Sequence, residues 1–86
     1  MDKRSLYEQL KQNPKNIHFE KICKIAIVFG FRYRGGKGSH CVYVREGIRE
    51  LLNFQNVNGK VKPYQVKQFI KIIEKYNLLW EEENNV

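Results

Sequence analysis

The chain has 86 residues, enough for one small domain built around a single hydrophobic core. Hydrophobic residues make up 42% of the sequence, but no stretch reaches the roughly 18 apolar residues of a transmembrane helix, so we expect no membrane partner. Sixteen Lys and Arg oppose nine Asp and Glu, and the net charge of +7 indicates a polyanionic partner, with nucleic acid as the first candidate.

The N-terminal sequence and the two cysteines argue against disulfide bonds and a metal site. The first residues, MDKRSLYEQLKQ, lack the apolar region of a signal peptide, so we expect a cytoplasmic protein in which Cys23 and Cys41 stay reduced. A zinc site that adds His18 and His40 is disfavoured, because neighbouring residues on a strand point to opposite faces and no pair has C-x-x-C spacing. We therefore expect no metal and no small-molecule cofactor.

A short helix is predicted at residues 5–12. Leu6 and Leu10 stand at i,i+4 spacing on one side of it, and Asn13-Pro14 ends it. A helix this short is marginally stable alone in water, so it must dock on another part of the fold.

A second helix is predicted at residues 19–29, where apolar residues recur at helical spacing and Gly30 provides a stop. Its β-branched run IAIVF would also suit a strand. The helix is favoured because Lys21 and Lys24 fall off the apolar stripe and because the glycine then has a role.

Three strands in an antiparallel meander are predicted next. Residues 31–34 alternate aromatic and basic side chains, and the segments 39–45 and 48–54 follow as second and third strands. Glu46-Gly47 supplies a tight turn between them. Residues 56–62, which contain Asn58-Gly59, are expected to be a polar connection.

The last helix begins at Pro63, because proline suits the first helical position. It is predicted to run to Tyr76. Its apolar stripe consists of Val66, Phe69, Ile70, Ile73 and Tyr76 or Asn77, and a basic ridge consists of Lys67, Lys71 and Lys75. The element order α-α-β-β-β-α predicts an α+β fold, with the helices packed on one face of a three-stranded antiparallel sheet.

The segment YRGGKGSHCVYVR, residues 33–45, combines glycines, positive charge and a histidine. A neutral imidazole at His40 could take the proton of an RNA 2′-OH near neutral pH. Flexible glycines could bring backbone N–H groups to the phosphate, and Lys37 could stabilise developing negative charge. The loop is not a Walker motif, because a strand follows it. A lone histidine is nevertheless more often structural than catalytic.

Four landmarks in order resemble the HicA family of toxin–antitoxin ribonucleases over residues 13–78. They are Asn13-Pro14-Lys15-Asn16, Gly30-Phe31, Gly38-Ser39-His40 and Lys62-Pro63-Tyr64-Gln65. The resemblance implies a fold like that of a double-stranded-RNA-binding domain. It also implies a metal-independent endoribonuclease that cleaves mRNA and is silenced by a HicB-like antitoxin.

The essential histidine of that family maps onto His40. Many members carry a second histidine or a basic residue directly after the motif, whereas this chain has Cys41 and Val42. This departure leaves the general acid unidentified.

The resemblance also divides the chain, which we expect to be a single domain over residues 1–86. Residues 1–14 form a helical extension that precedes the minimal family domain, residues 15–78 form the core, and residues 79–86 form a C-terminal tail. Three of the nine acidic residues fall in that tail.

The expected RNA contacts lie near the glycine-rich loop, at the sheet ends and on the last helix. They are Arg34, Lys37, Gly38, Ser39, Lys60, Lys62 and Lys67. Phosphate contacts by cations give affinity and salt dependence rather than sequence specificity. Lysines on an amphipathic helix can equally form an ordinary solvated face, and Tyr33, Tyr43 and Tyr64 could stack on bases or belong to the core.

Two other functions remain open from the residues. One is a small RNA-binding domain without catalysis, which would tolerate replacement of His40. The other is a partner-binding domain whose basic face meets only an acidic protein and binds no RNA.

Overall fold

The computed structural model describes residues 2–80, which form a small α+β fold. The elements in chain order are α1 Lys3–Gln12, α2 Phe19–Val28, β1 Arg32–Gly35, β2 His40–Val44, β3 Leu52–Val57, β4 Lys60–Val61 and α3 Pro63–Lys75. The strands form one antiparallel sheet in the order β1-β2-β3-β4. Within residues 2–80, no helix is both long and apolar enough to cross a membrane. Most of the predicted tail, residues 81–86, lies outside the described residues.

The three predicted helices are confirmed, and the end of α2 shows why the IAIVF run is helical. Phe31 N–H donates to Ala26 C=O at 3.0 Å and Gly30 N–H donates to Ile27 C=O at 2.9 Å. This pair of bonds is the Schellman arrangement, in which the residue after the helix takes a positive φ. Gly30 has a φ of +87°, a conformation that costs glycine little.

The prediction of three strands is wrong, because the expected polar connection after β3 is a hairpin that contains a fourth strand. Asn58 and Gly59 have φ values of 53° and 86°, as a two-residue type I′ turn requires. Val57 and Lys60 pair directly across it. The Asn-Gly dipeptide was the sequence signal for this hairpin.

The segment between β2 and β3 is longer than the predicted tight turn. Ile48 N–H donates to Arg45 C=O at 3.1 Å, which closes a turn, but β3 begins only at Leu52. The intervening Glu50 accepts bonds from Lys75 Nζ at 2.7 Å and from Tyr76 Oη at 2.6 Å, and these bonds lower its pKa to about 2. The segment is thereby tied to the end of α3.

The core lies between the helices and one face of the sheet. The ring of Phe69 in α3 is fully buried and contacts Phe29, Phe31 and Phe54 at centroid distances of 5.7, 5.9 and 5.8 Å. Leu6 and Leu10 are also buried in this core, which α1 reaches by packing on α3. The predicted docking of the first helix is therefore observed.

Strand register assigns the side chains to two faces. Cys41 pairs with Phe54 and Tyr43 with Leu52, and these four residues pack toward the helices. The residues that alternate with them belong to the other side, which we call the open face. It carries Arg32, His40, Val42, Val44, Asn53 and Gln55. The strand β2 lies inside the sheet, between β1 and β3, as predicted.

Candidate active site

The β1–β2 hairpin places His40 as the first residue of β2, at the end of the glycine-rich loop. His40 N–H donates to Lys37 C=O at 3.0 Å, which closes a four-residue turn, and Gly38 within it has a φ of +60°. Ser39 C=O accepts from Asn56 N–H at 2.9 Å, so β3 holds the other side of the loop. The backbone of the histidine is therefore fixed from both neighbouring strands.

Gly36 allows a close approach of two backbone segments within the hairpin. A Cβ built at this residue would lie 2.0 Å from the carbonyl oxygen of His40 and 3.1 Å from the Cα of Cys41. The two backbones can approach this closely only because the residue has no side chain. The glycine therefore sets the position of the histidine backbone.

The imidazole of His40 is oriented by Asn53 on the neighbouring strand. His40 Nδ1 lies 3.2 Å from Asn53 Oδ1, a hydrogen-bond distance. His40 pairs with Gln55 and Val42 pairs with Asn53, so the two side chains are diagonal neighbours on the open face. An amide oxygen only accepts hydrogen bonds, so in the neutral ring this contact favours the tautomer with the proton on Nδ1 and the lone pair on Nε2. A half-buried imidazole in this tautomer can accept a proton at Nε2.

Asn53 was not among the candidate residues identified from sequence. It stands between the buried Leu52 and Phe54, and this alternation shows only that its side chain is on the opposite face from theirs. Its proximity to His40 depends on the register between β2 and β3, which no local motif encodes.

Replacing Asn53 should change the tautomer of His40 without unfolding the protein. In Asn53→Leu, Nδ1 loses its acceptor, and the neutral ring should lose its preference for carrying the proton at that nitrogen. Nitrogen NMR of the histidine ring, recorded above the pH at which the ring is protonated, measures the populations of the two tautomers. The exposed position of Asn53 should keep the change in unfolding free energy within about 0.5 kcal/mol.

The matched control for this test is Gln55→Leu. Gln55 lies on β3, as Asn53 does, and pairs directly with His40. That variant should keep the Nδ1–H tautomer. A tautomer shift in Gln55→Leu, together with an unchanged ring in Asn53→Leu, would show that Asn53 is not the acceptor.

Four of the predicted RNA contacts lie in the same hairpin as His40. Lys37, Gly38 and Ser39 form the exposed turn, and Arg34 is exposed in β1 next to the irregular pairing at Gly35. The hairpin thus combines an oriented imidazole with two cations. Such cations can stabilise negative charge that develops on a phosphate bound near the ring.

Two further lysines lie at the same end of the sheet. Gln55 pairs with His40 and its N–H donates to Gln65 Oε1 at 2.8 Å, so the start of α3 is attached directly across from the histidine. Lys62, the N-cap residue of α3, follows β4 and lies about two strand spacings, roughly 10 Å, from the backbone of His40. Lys60 is exposed in β4.

Lys67 and His18 are not brought together with His40. Lys67 is exposed on α3, and this helix packs on the face of the sheet opposite the imidazole. His18 precedes α2 and forms a bridge with Lys60, which places it beyond β4, about three strand spacings from His40. Neither residue is positioned to act on a group bound at Nε2.

Among the three tyrosines, only Tyr43 belongs to the core, where burial and the neighbouring Cys23 raise its pKa. Tyr33 and Tyr64 are 55% and 57% exposed, so both rings are accessible. Over residues 2–80, no group of three His, Cys, Asp or Glu side chains could hold a metal ion.

Comparison with known proteins adds no assignment to this geometry. No protein-family model, no curated protein and no solved structure matches the chain. The proposed function therefore depends on the hairpin, the open face and the charge of the chain itself.

Proposed function

We propose that this protein is the toxin of a type II toxin–antitoxin system, an endoribonuclease that cleaves mRNA in the cytoplasm without a metal ion. The observation that carries the proposal is the hydrogen bond between His40 Nδ1 and Asn53 Oδ1, at 3.2 Å on the open face. It leaves Nε2 as an oriented base next to the turn that carries Lys37. The α+β architecture with helices on one side of the sheet supports an arrangement like that of a double-stranded-RNA-binding domain.

In the proposed reaction, Nε2 of His40 takes the proton of a ribose 2′-OH, and the 2′-oxygen attacks the adjacent phosphorus. Negative charge increases on the phosphate oxygens in the transition state, and Lys37 in the adjoining turn stabilises it, while Arg34 contacts the RNA farther along the hairpin. The bond from phosphorus to the 5′-oxygen breaks, and the protonated imidazole can return its proton to that oxygen. The products are a 2′,3′-cyclic phosphate and a free 5′-OH.

The other proposed RNA contacts are Gly38, Ser39, Lys60, Lys62 and Lys67. The first four lie at the His40 end of the sheet, and Lys67 would bind only an RNA that extends around the edge to α3. These contacts supply affinity that does not depend on sequence.

A HicB-like antitoxin is the proposed protein partner. The excess of sixteen basic over nine acidic residues makes the surface attractive to carboxylates as well as to phosphates. An acidic partner that covers His40 and the turn of residues 37–40 would neutralise this charge and block the site together.

A non-catalytic RNA-binding domain is the second candidate, and the basic open face favours it. That function would use the same arginines and lysines but would have no use for an oriented imidazole. The two candidates differ in whether RNA is cut.

The chemistry is tested with two oligonucleotides of one sequence, one of RNA and one fully 2′-O-methylated, incubated with the protein and a chelator. Only the RNA should be cut, because only it has a 2′-OH nucleophile, and mass spectrometry should find cyclic phosphate and 5′-OH ends. Chelator should leave the rate unchanged. Binding of both oligonucleotides without cleavage of either would favour the binding domain, whereas cleavage of the methylated strand would contradict attack by the 2′-oxygen.

A further inference from the structure

A second basic site lies at the other end of β2 from His40. A cavity of about 460 Å³ is lined there by Arg32, Arg34, Val44, Arg45 and Glu46, and we call it the arginine cavity. Arg32 pairs with Val44 across the two strands, and both belong to the open face. The arginine cavity therefore opens on the same side of the sheet as the imidazole.

Arg45 is held in place by the end of α2. Its Nη1 donates to Phe29 C=O at 2.8 Å, so the cation lies at a helix C-terminus, where positive charge is favourable. The guanidinium also packs against Gly30, where a Cβ would lie 3.3 Å from it. Half-buried and fixed, Arg45 contributes a stationary positive charge to the wall of the cavity.

The remaining charges favour an anion. Arg32 and Arg34 are exposed, and both line the cavity together with Val44 of the open face. Among the described residues that line the cavity, Glu46 is the only acidic one, so three arginines leave an excess of two positive charges. A guanidinium presents parallel N–H donors that match the oxygens of a phosphate.

We propose that the arginine cavity binds a backbone phosphate of the RNA strand, away from the phosphate that is cleaved at His40. From His40 to Val44 the strand rises by about 13 Å, at roughly 3.3 Å per residue. A stacked nucleic-acid strand rises about 3.4 Å per nucleotide, so the second phosphate lies about four nucleotides from the first, or fewer where the strand is extended. The two sites then fix the path of the RNA along β2. The spacing between the two phosphates rests on the proposed function, because it is measured from the cleavage site at His40. Binding of a phosphate in the arginine cavity does not depend on that function.

The test measures binding of a fluorescent RNA of ten nucleotides to proteins that carry His40→Ala, so that no strand is cut. Adding Arg32→Ala with Arg34→Ala should weaken binding on the order of tenfold at low salt. It should also reduce the slope of log Kd against log salt by about 0.7 for each phosphate that the variant no longer neutralises. The control with the same change of charge is Lys11→Ala with Lys21→Ala, on helices that do not contribute to the open face. Glu46→Gln should tighten binding.

The length of the RNA separates a backbone site from a site for free phosphate. Affinity should increase as the RNA is lengthened from two to six nucleotides, and this increase should vanish in the Arg32/Arg34 variant. Inorganic phosphate that saturates the cavity while longer RNA binds no more tightly would overturn the proposal. An equal fall in affinity in the two charge variants would do so as well, because it would show only a general effect of charge.

The outcomes also distinguish this inference from the proposed function. If the native protein cuts no RNA but the Arg32/Arg34 variant loses affinity, the arginine cavity stands and the cleavage proposal fails. If the native protein cuts RNA while the variant and its control bind alike, the cavity alone is wrong.

Discussion

His40→Ala is expected to lower the rate of RNA cleavage about a hundredfold or more, as the loss of a general base does. The variant removes the ring nitrogen that takes the 2′-OH proton in the proposed reaction, and no other side chain of the site has been assigned that role. Folding should change little, since the imidazole is half-buried on the open face and lies outside the hydrophobic core. Single-turnover cleavage of RNA measures the loss of activity directly. Growth of cells that express the variant measures the loss of toxicity that should follow from it.

The matched control is His18→Ala, the other histidine of the chain. His18 is exposed and its side chain makes no capping bond to α2, so this variant should cleave RNA at the native rate. The His40→Ala protein should also still bind RNA, because its cations are intact. Native cleavage by a folded His40→Ala protein would remove the catalytic assignment and leave the RNA-binding domain as the better proposal.

Much of the helical structure could be predicted because its signals are local. The α2 helix was identified from two lysines off the apolar stripe and from Gly30, and the structure gives that glycine the positive φ expected of a helix stop. The sheet was predicted less well at its second half. Residues 58–59 were assigned to a connection although Asn-Gly is a strong signal for a two-residue hairpin, so β4 was missed.

The candidate site was predictable only in part, because a strand pair depends on register. The position of His40 follows from the local segment, but its contact with Asn53 requires that residues 13 positions apart pair in one alignment. The third strand was predicted at residues 48–54, whereas β3 covers Leu52–Val57. With such an offset, the residue of the third strand that lies beside His40 could not be identified from sequence. A slip of one residue in register moves every side chain of a strand to the other face.

The glycines of the loop show the same limit. Their composition indicates a sharp change of direction, but it does not distinguish a flexible anion-binding loop from a tightly packed hairpin. Gly36 is next to the backbone of His40 in space although the two are four positions apart in sequence. Only the folded hairpin shows that the carbonyl group of His40 occupies the space that a Cβ at Gly36 would need.

Gly36→Ala should therefore damage both stability and the site. The added Cβ would meet the carbonyl oxygen of His40 at 2.0 Å, far inside the roughly 3.5 Å at which nonbonded heavy atoms pack. A backbone atom cannot rotate aside as a side chain can, so the two strands must separate and His40 must move with β2. Overpacking of this kind costs about 1–3 kcal/mol. Urea denaturation should show this destabilisation, and cleavage by the folded fraction should fall at least tenfold, because catalytic groups tolerate little displacement.

The control in the same loop is Gly38→Asn, which adds a larger side chain where the structure has room. Nothing lies within 4 Å of a Cβ at Gly38, and its φ of +60° is a conformation that asparagine adopts more readily than other residues with side chains. This variant should remain within about 1 kcal/mol of the native stability, and it should keep most of the cleavage rate because the RNA contact proposed for Gly38 uses its backbone, which the variant retains. If Gly36→Ala were as stable and as active as Gly38→Asn, the close approach of the two backbones would not be what positions His40. The hydrogen bond from Asn53 would then have to hold the imidazole without help from the loop.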